Sequence, residues 1–331
     1  MRVATFALAL LVLVASSATA ATAALNHNRQ AINNLATAYG FILGQEYSLA
    51  RIEKTFPSLR LRVEAARAGF VRTFGNIGEL LERELILALG ERKFHEMRNE
   101  SRRRLVRLIE QEPLTLDLAG DFLRKVEARA KGAEIEPEVL RYLLAVKYAG
   151  APVEEFLDGF RQRFSTDGTG KARGVRLKLQ LPLSWLAQEG ERPHIVRKWI
   201  SEGGTGTSVI LLDIRDARGG EPSAEEMERL ARSGEAHQVL GDLGKISNLG
   251  TFTLEGRKGL KADLTTEQER AGIHMRGAGS LYQLFLPRKR VGIMCMTYAL
   301  ESASQKPRVS GAAVRPLCRQ VVNSLILEQA Y

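Results

Sequence analysis

Cysteine and histidine are scarce in this sequence, and long apolar runs are confined to its start. The only cysteines are Cys295 and Cys318. A pair is too few for a zinc site of its own or for a multi-bridge disulfide scaffold. The five histidines are His27, His95, His194, His237 and His274. None stands in an HExxH pattern or beside a cysteine, so metal-ligand spacing is missing. The serine-nucleophile patterns GxSxG and SxxK are absent as well. The Gly-rich GGTGTS at 203–208 lacks the lysine a phosphate loop needs after its last glycine, and a strand-like SVILLDI follows it where a helix is required. These absences leave no expected catalytic residue, cofactor or metal.

Residues 1–20, MRVATFALALLVLVASSATA, open on one arginine, continue as a short apolar run and close on Ala18-Thr19-Ala20. That is the pattern of a cleaved secretory signal, with a second cleavage site at Ala21-Thr22-Ala23. The run is too short to span a bilayer core of ~30 Å, and no basic stop-transfer cluster follows. The expectation is a periplasmic or secreted protein, cut after Ala20 or Ala23. In such a compartment Cys295 and Cys318 can form a bridge.

The formal charge is +10, unevenly spread. Residues 26–164 carry 23 Lys/Arg against 20 Asp/Glu; residues 165–331 carry 24 against 18. A basic exported chain suits an anionic lipid or polymer surface or an acidic envelope partner, and export removes it from nucleic acid. The densest basic cluster is Arg98, Arg102, Arg103, Arg104 and Arg107. Glu96, Glu100, Glu110 and Glu112 lie among them, as on a solvated, ion-paired helix face. Docking to an anionic surface is the functional alternative for these arginines.

The hydrophobic period divides the chain. Up to Phe164 it is helical. Leu59, Val63, Ala66, Phe70 and Phe74 share a face, and so do Leu116, Ala119, Leu123, Val126 and Ala130. Val153, Phe156, Phe160 and Phe164 read as the last such stripe. Residues 165–174, STDGTGKARG, read as a mobile linker. After them the period becomes two: Val175, Leu177, Leu179 and Leu181 alternate with Arg176, Lys178 and Gln180, and Pro182 ends the strand. Further strands are expected at 194–200 and 207–214, then a helix over 222–240. Three or four strands follow over 249–299, with Gly277-Ala278-Gly279 as a hairpin turn, and a last helix over 310–329. The fold class is α+β: a helical domain at 26–164, then an antiparallel sheet with flanking helices at 175–331.

The strand LKLQLPLSW with its P-x-x-W at 182–185, the strand–helix–meander–helix order, and the closing RQVVNSLIL resemble a PsbP-type domain over roughly 174–329. That superfamily includes photosystem accessory proteins, Ran-binding nuclear-transport factors and envelope proteins of the DcrB kind. The resemblance implies an αβα sandwich used for binding and assembly, and it carries over no ligand residue. Two readings follow. One is an exported non-catalytic protein that binds an envelope protein, with an apolar groove between its short helices. The other is an envelope enzyme or small-ligand binder whose site lies in the sheet half, where His194, Asp213 and His274 are the residues to examine.

Overall fold

The computed structural model describes residues 25–217, 221–233, 240, 243–270, 273–300 and 310–328. The signal-like segment 1–20 and His237 lie outside the described residues. The helical half holds α1 (Arg29–Thr55), α2 (Arg60–Phe74), α3 (Ile77–Leu89), α4 (Glu91–Glu110), α5 (Leu116–Arg129), α6 (Pro137–Lys147) and α7 (Pro152–Leu157). Local chemistry sets their ends. The Asn28 side chain accepts from the Ala31 N–H at 2.9 Å and caps α1. Gly75 and Gly90 follow α2 and α3 at φ +65° and +79°, where a side chain would be strained.

The long α1 is the spine. Leu35, Ala38 and Ile42 pack with α3 and α6, while Leu49 and Ile52 pack with α2 and α5. In α6, Val139, Leu140 and the run Tyr142–Val146 are all buried. A helix apolar on so many sides is enclosed on all of them.

The sheet half holds two antiparallel sheets. In the smaller, β1 (Arg161–Asp167) and β10 (Ile326–Leu327) flank β2 (Arg176–Pro182). The larger comprises β3 (Leu186–Glu189), β4 (Ile195–Ile200), β5 (Ser208–Asp216), β6 (Lys245–Leu254), β7 (Arg257–Arg270), β8 (Ile273–Leu286) and β9 (Lys289–Leu300), in the order β3-β4-β5-β9-β8-β7-β6. A short turn, α8 (Ser201–Gly204), in which Glu202, Gly203 and Gly204 take positive φ, joins β4 to β5. Two longer helices complete the half, α9 (Ala224–Ser233) and α10 (Val314–Asn323). This is the α+β architecture the periodicity implied.

One face of the large sheet meets the small sheet, α7 and α10. Leu177, Leu179 and Leu181 of β2 interlock there with Ile210, Leu212 and Ile214 of β5 and with Leu317 and Val321 of α10. Trp185 and Trp199 are 2% and 0% exposed in the same core. Each such side chain contributes about 2 kcal/mol on leaving water. Cys295 of β9 and Cys318 of α10 are joined as a disulfide across this core, with Cα atoms 5.8 Å apart. The bridge closes a 23-residue separation and contributes about 3 kcal/mol. The opposite face carries a second core of Met227, Leu260, Leu264, Leu281 and Met296 beneath α9. As strand alternation requires, Met296 and Cys295 face opposite ways.

Several local expectations are corrected. The stripe through Phe160 and Phe164 is not one helix: α7 stops at Leu157, Gly159 turns at φ +89°, and Phe164 lies in β1 against Trp199. The supposed linker 165–174 is a hairpin connection. Ser165, Thr166 and Asp167 pair with Lys178, Leu177 and Arg176, and glycines at 168, 170 and 174 take positive φ in the return. The Thr166 hydroxyl then locks it, donating to the Val175 carbonyl at 2.8 Å.

Gly277-Ala278-Gly279 is no turn either, because the three sit inside β8 with strands paired on both sides. These glycines serve close packing. A Cβ at 277 would come within 2.6 Å of the Thr266 Oγ1, and one at 279 would strike the Cys295 carbonyl. The last helix is shorter than 310–329, since Ile326–Leu327 leave it to pair with β2. The described part of the 222–240 helix is α9 and the buried Leu240, and 234–239 lie outside the described residues.

Candidate functional site

The open face of the large sheet carries a partly enclosed pocket of about 490 Å³. That is the size range of small-molecule sites. Its floor follows from strand register. Asp213 of β5, Gly292 of β9 and Gln283 of β8 lie side by side in one cross-strand row. Gly292 leaves the floor bare between two polar neighbours: a Cβ there would sit 3.5 Å from the Asp213 Cβ and 3.3 Å from the Gln283 Oε1. Two residues along the strands in one direction, Arg215 lies opposite Arg290. Two residues the other way, Leu211, Met294 and Leu281 form an apolar row. Arg192 and His194, just before β4, line the basic end. Leu240, Leu243 and Tyr298 line the apolar end.

The charges are arranged around Asp213. The Arg215 Nε donates to both of its carboxylate oxygens, at 2.9 and 3.1 Å. The His194 Nε2 lies 3.6 Å from the nearer oxygen, beyond hydrogen-bond distance. Burial holds the His194 imidazole below its ordinary pKa, and the positive charges of Arg215, Arg192 and Arg173 push it the same way against Asp213. The ring is thereby biased toward its neutral form. Glu267 at the pocket edge meets Arg276 at 3.2 Å. Thr266 on the far wall is only 9% exposed, and among the described residues its Oγ1 has no hydrogen-bond partner. Leaving such a hydroxyl unpaired costs about 1–3 kcal/mol.

Of the three residues singled out from the sequence, the fold brings His194 and Asp213 together and leaves His274 outside. His274 is exposed at the start of β8, 3.7 Å from Glu269. Sequence reading missed Arg192, Arg215, Gln283, Arg290 and Thr266. The alternation in β5 offered one signal, since Leu211, Asp213 and Arg215 must share a face. Gln283 and Arg290 enter only through strand register.

The arginine cluster on α4 is ion-paired. Arg103 and Arg104 both meet Glu100, at 3.1 and 2.9 Å, and Arg98 reaches Glu82 of α3 at 3.4 Å. The Arg107 Nε donates to the Arg103 carbonyl, and Arg102 remains exposed. In the helical half, α1, α5 and the end of α4 border an open groove of about 620 Å³ lined by Ile52, Ile109, Leu114, Leu118 and Phe122. Among the described residues, no group of three or more His, Cys, Asp or Glu gathers where a metal could bind. No described helix is long and apolar enough to cross a membrane.

The halves meet through a buried polar junction. The Glu155 carboxylate of α7 accepts from the Ser184 N–H at 2.6 Å and from its hydroxyl at 2.5 Å. Glu202 of α8 adopts φ +56° and accepts from the Asn26 N–H at 2.8 Å, while Tyr142 of α6 bonds Thr205 at 2.9 Å.

No protein-family model and no curated protein matches the chain. Among solved structures, one described only as a crystal structure from Bacteroides thetaiotaomicron VPI-5482 is 9% identical, with a TM-score of 0.30. The match covers 51% of this chain and about half, 49%, of that one. A likeness that slight names neither a fold family nor a function.

Proposed function

We propose that this is an exported, non-catalytic binding protein of the cell envelope that holds a small ligand on the open face of its large sheet. The observation that carries this reading is the convergence of His194, Asp213, Arg215, Gln283 and Arg290 on one partly enclosed pocket with an apolar far end. Such a combination of apolar wall and a few placed polar groups is what small-molecule sites share. Export rests on the signal-like residues 1–20 and on the Cys295–Cys318 bridge, which belongs to an oxidising compartment. The PsbP-like pattern of residues 174–329, a scaffold for binding and assembly, points the same way.

The test is native mass spectrometry of the full mature chain, isolated from its own compartment without detergent. A retained small molecule, released on denaturation and absent from a Met294→Trp variant, is the expected result. A bare protein, whose Tm no member of a metabolite library raises, would overturn it. The helical groove supports a second reading, an envelope protein as partner, because Leu116 and Leu118 beside it are 55% and 48% exposed. One reproducible crosslinked protein, lost with Leu118→Glu, would favour that reading.

A further inference from the structure

The pocket is polarised along the strands. Its Arg215 and Arg290 row, the bare floor at Gly292 and the row of Leu211, Met294 and Leu281 succeed one another in steps of two residues. At the rise of an antiparallel strand, Arg290 and Met294 stand ~13 Å apart. Among the described residues the cations gather at one end, where they outnumber Asp213, and the acid at the other end, Glu267, is ion-paired. Asp213 is held by Arg215, and Glu267 meets Arg276, while Arg192 adds an exposed guanidinium at the rim. Beyond the floor lie the hydrocarbon walls of Leu211, Leu281, Met294, Leu240 and Leu243, and the polar groups of the far side are the Tyr298 and Thr266 hydroxyls with Glu267 and Gln268.

Other ligand classes meet less complementary surroundings. A polyanion would find cations only at one end, and its remaining charges would lie on leucine and methionine, at a desolvation cost nothing there offsets. A cation would meet the arginines directly. A wholly apolar ligand would leave the basic end unused and bury it from water. A single anionic head on an apolar chain satisfies both ends at once. Its head can take charge-assisted hydrogen bonds from guanidinium groups, and its chain can cover the apolar row.

We propose that the sheet pocket binds a free amphipathic anion, with the head at Arg192, Arg215 and Arg290 and the apolar chain over Leu211, Met294 and Leu281. This rests on the small-ligand reading above and names the class of ligand.

The experiment is calorimetric titration of the full mature chain with laurate, dodecanol and butyrate, each below its aggregation concentration. Laurate is expected to bind at least ten-fold more tightly than either of the others, because only it has both head and chain. Met294→Trp, which fills the chain end, and Arg192→Glu, an exposed change that leaves the core untouched, should each weaken laurate at least ten-fold. In the wild type, laurate should also raise the pKa of His194, followed by its imidazole NMR shifts, since an added anion offsets the arginine field.

Dodecanol binding as tightly as laurate would refute the basic end as a head site, and butyrate doing so would refute the chain end. Laurate binding that neither variant weakens would place it elsewhere on the protein. Phosphatidylglycerol vesicles present the same chemistry in a bilayer. Co-sedimentation with them, without laurate binding, would replace the pocket proposal by surface association. If all three probes fail but another small molecule binds and Met294→Trp blocks it, the amphiphile class is wrong and the small-ligand reading survives. Should no small molecule bind at all, both fall.

Discussion

Two carboxylates removed from water, Glu155 at the junction of the halves and Asp213 in the sheet pocket, are satisfied in opposite ways. Glu155 is 1% exposed and its partners are the neutral N–H and hydroxyl of Ser184. Burial dominates, and it raises the Glu155 carboxyl from 4.5 to about 7 against those hydrogen bonds. Asp213 instead sits beside a guanidinium and an imidazole at the mouth of a cavity. The first arrangement is closed, with the carboxyl buried against its two donors. The second assembles opposite charges where a ligand can reach them, at the cost of holding His194 in an unfavourable field. Burial alone therefore does not mark a functional acid; the difference lies in whether its partners are used up by the fold.

The comparison can be broken most forcibly at Glu155. Replacement by alanine strands two buried donors and should cost on the order of 3 kcal/mol, read by chemical denaturation. Glu155→Gln keeps one acceptor and should cost less, with a distinctive pH signature. Because the folded-state pKa is raised, the folded chain holds this proton more tightly than the unfolded chain. The resulting stabilisation is complete below about pH 4.5 and is lost as pH rises through about 7. Stability of the wild type should decline over that window, and Glu155→Gln should flatten the decline. An equal slope in both proteins would mean that the carboxyl ionises normally.

Asp213→Asn should cost about 1 kcal/mol, because Arg215 keeps access to solvent. Its larger effect should be electrostatic. Asp213 is the group that opposes the arginine field at His194, so its neutralisation should lower the imidazole pKa further, as NMR titration would show. An unchanged His194 titration would separate the two residues electrically and dissolve the contrast with Glu155. The smallest effect belongs to the α4 surface. Arg103→Gln with Arg104→Gln should change stability by about 0.5 kcal/mol or less, since both ion pairs with Glu100 are exposed. A cost above about 1 kcal/mol would give that cluster a structural role its exposure does not account for.

The helical half was largely legible because its information is local. Val63, Ala66, Phe70 and Phe74 lie on one face of α2 in sequence and in space. Local pattern also misled where two periods overlap. Spacings of three and four place Phe160 and Phe164 on a helix, yet the positive φ at Gly159 ends it, and Phe164 packs edge-on to Trp199 from a strand. Glycine was ambiguous for a similar reason. At Gly168 it makes a turn, whereas at Gly277 and Gly279 it admits neighbouring atoms in mid-strand. Both members of the pocket's acid–base pair, His194 and Asp213, were named from sequence, but the row of Asp213, Gly292 and Gln283 depends on register between strands up to 79 positions apart, which no window of sequence contains.

The placement of α7 and α10 has a consequence for how the chain acquires its structure. Phe156 of α7, Leu177 and Leu179 of β2, and Val321 and Leu327 at the far end all belong to one core. The sheet half is thus wrapped at the start by a piece of the helical half, and it is closed at the end by the last helix and a two-residue strand. Long-range closure of this kind slows folding, because loop entropy is lost before the contacts that reward it exist. A nascent chain can complete the core around α1 early, but it must carry an open sheet core until residues near 327 have emerged. The interval exposes unpaired strand edges, so the slowest and most aggregation-prone stage of biogenesis belongs to the half that carries the pocket.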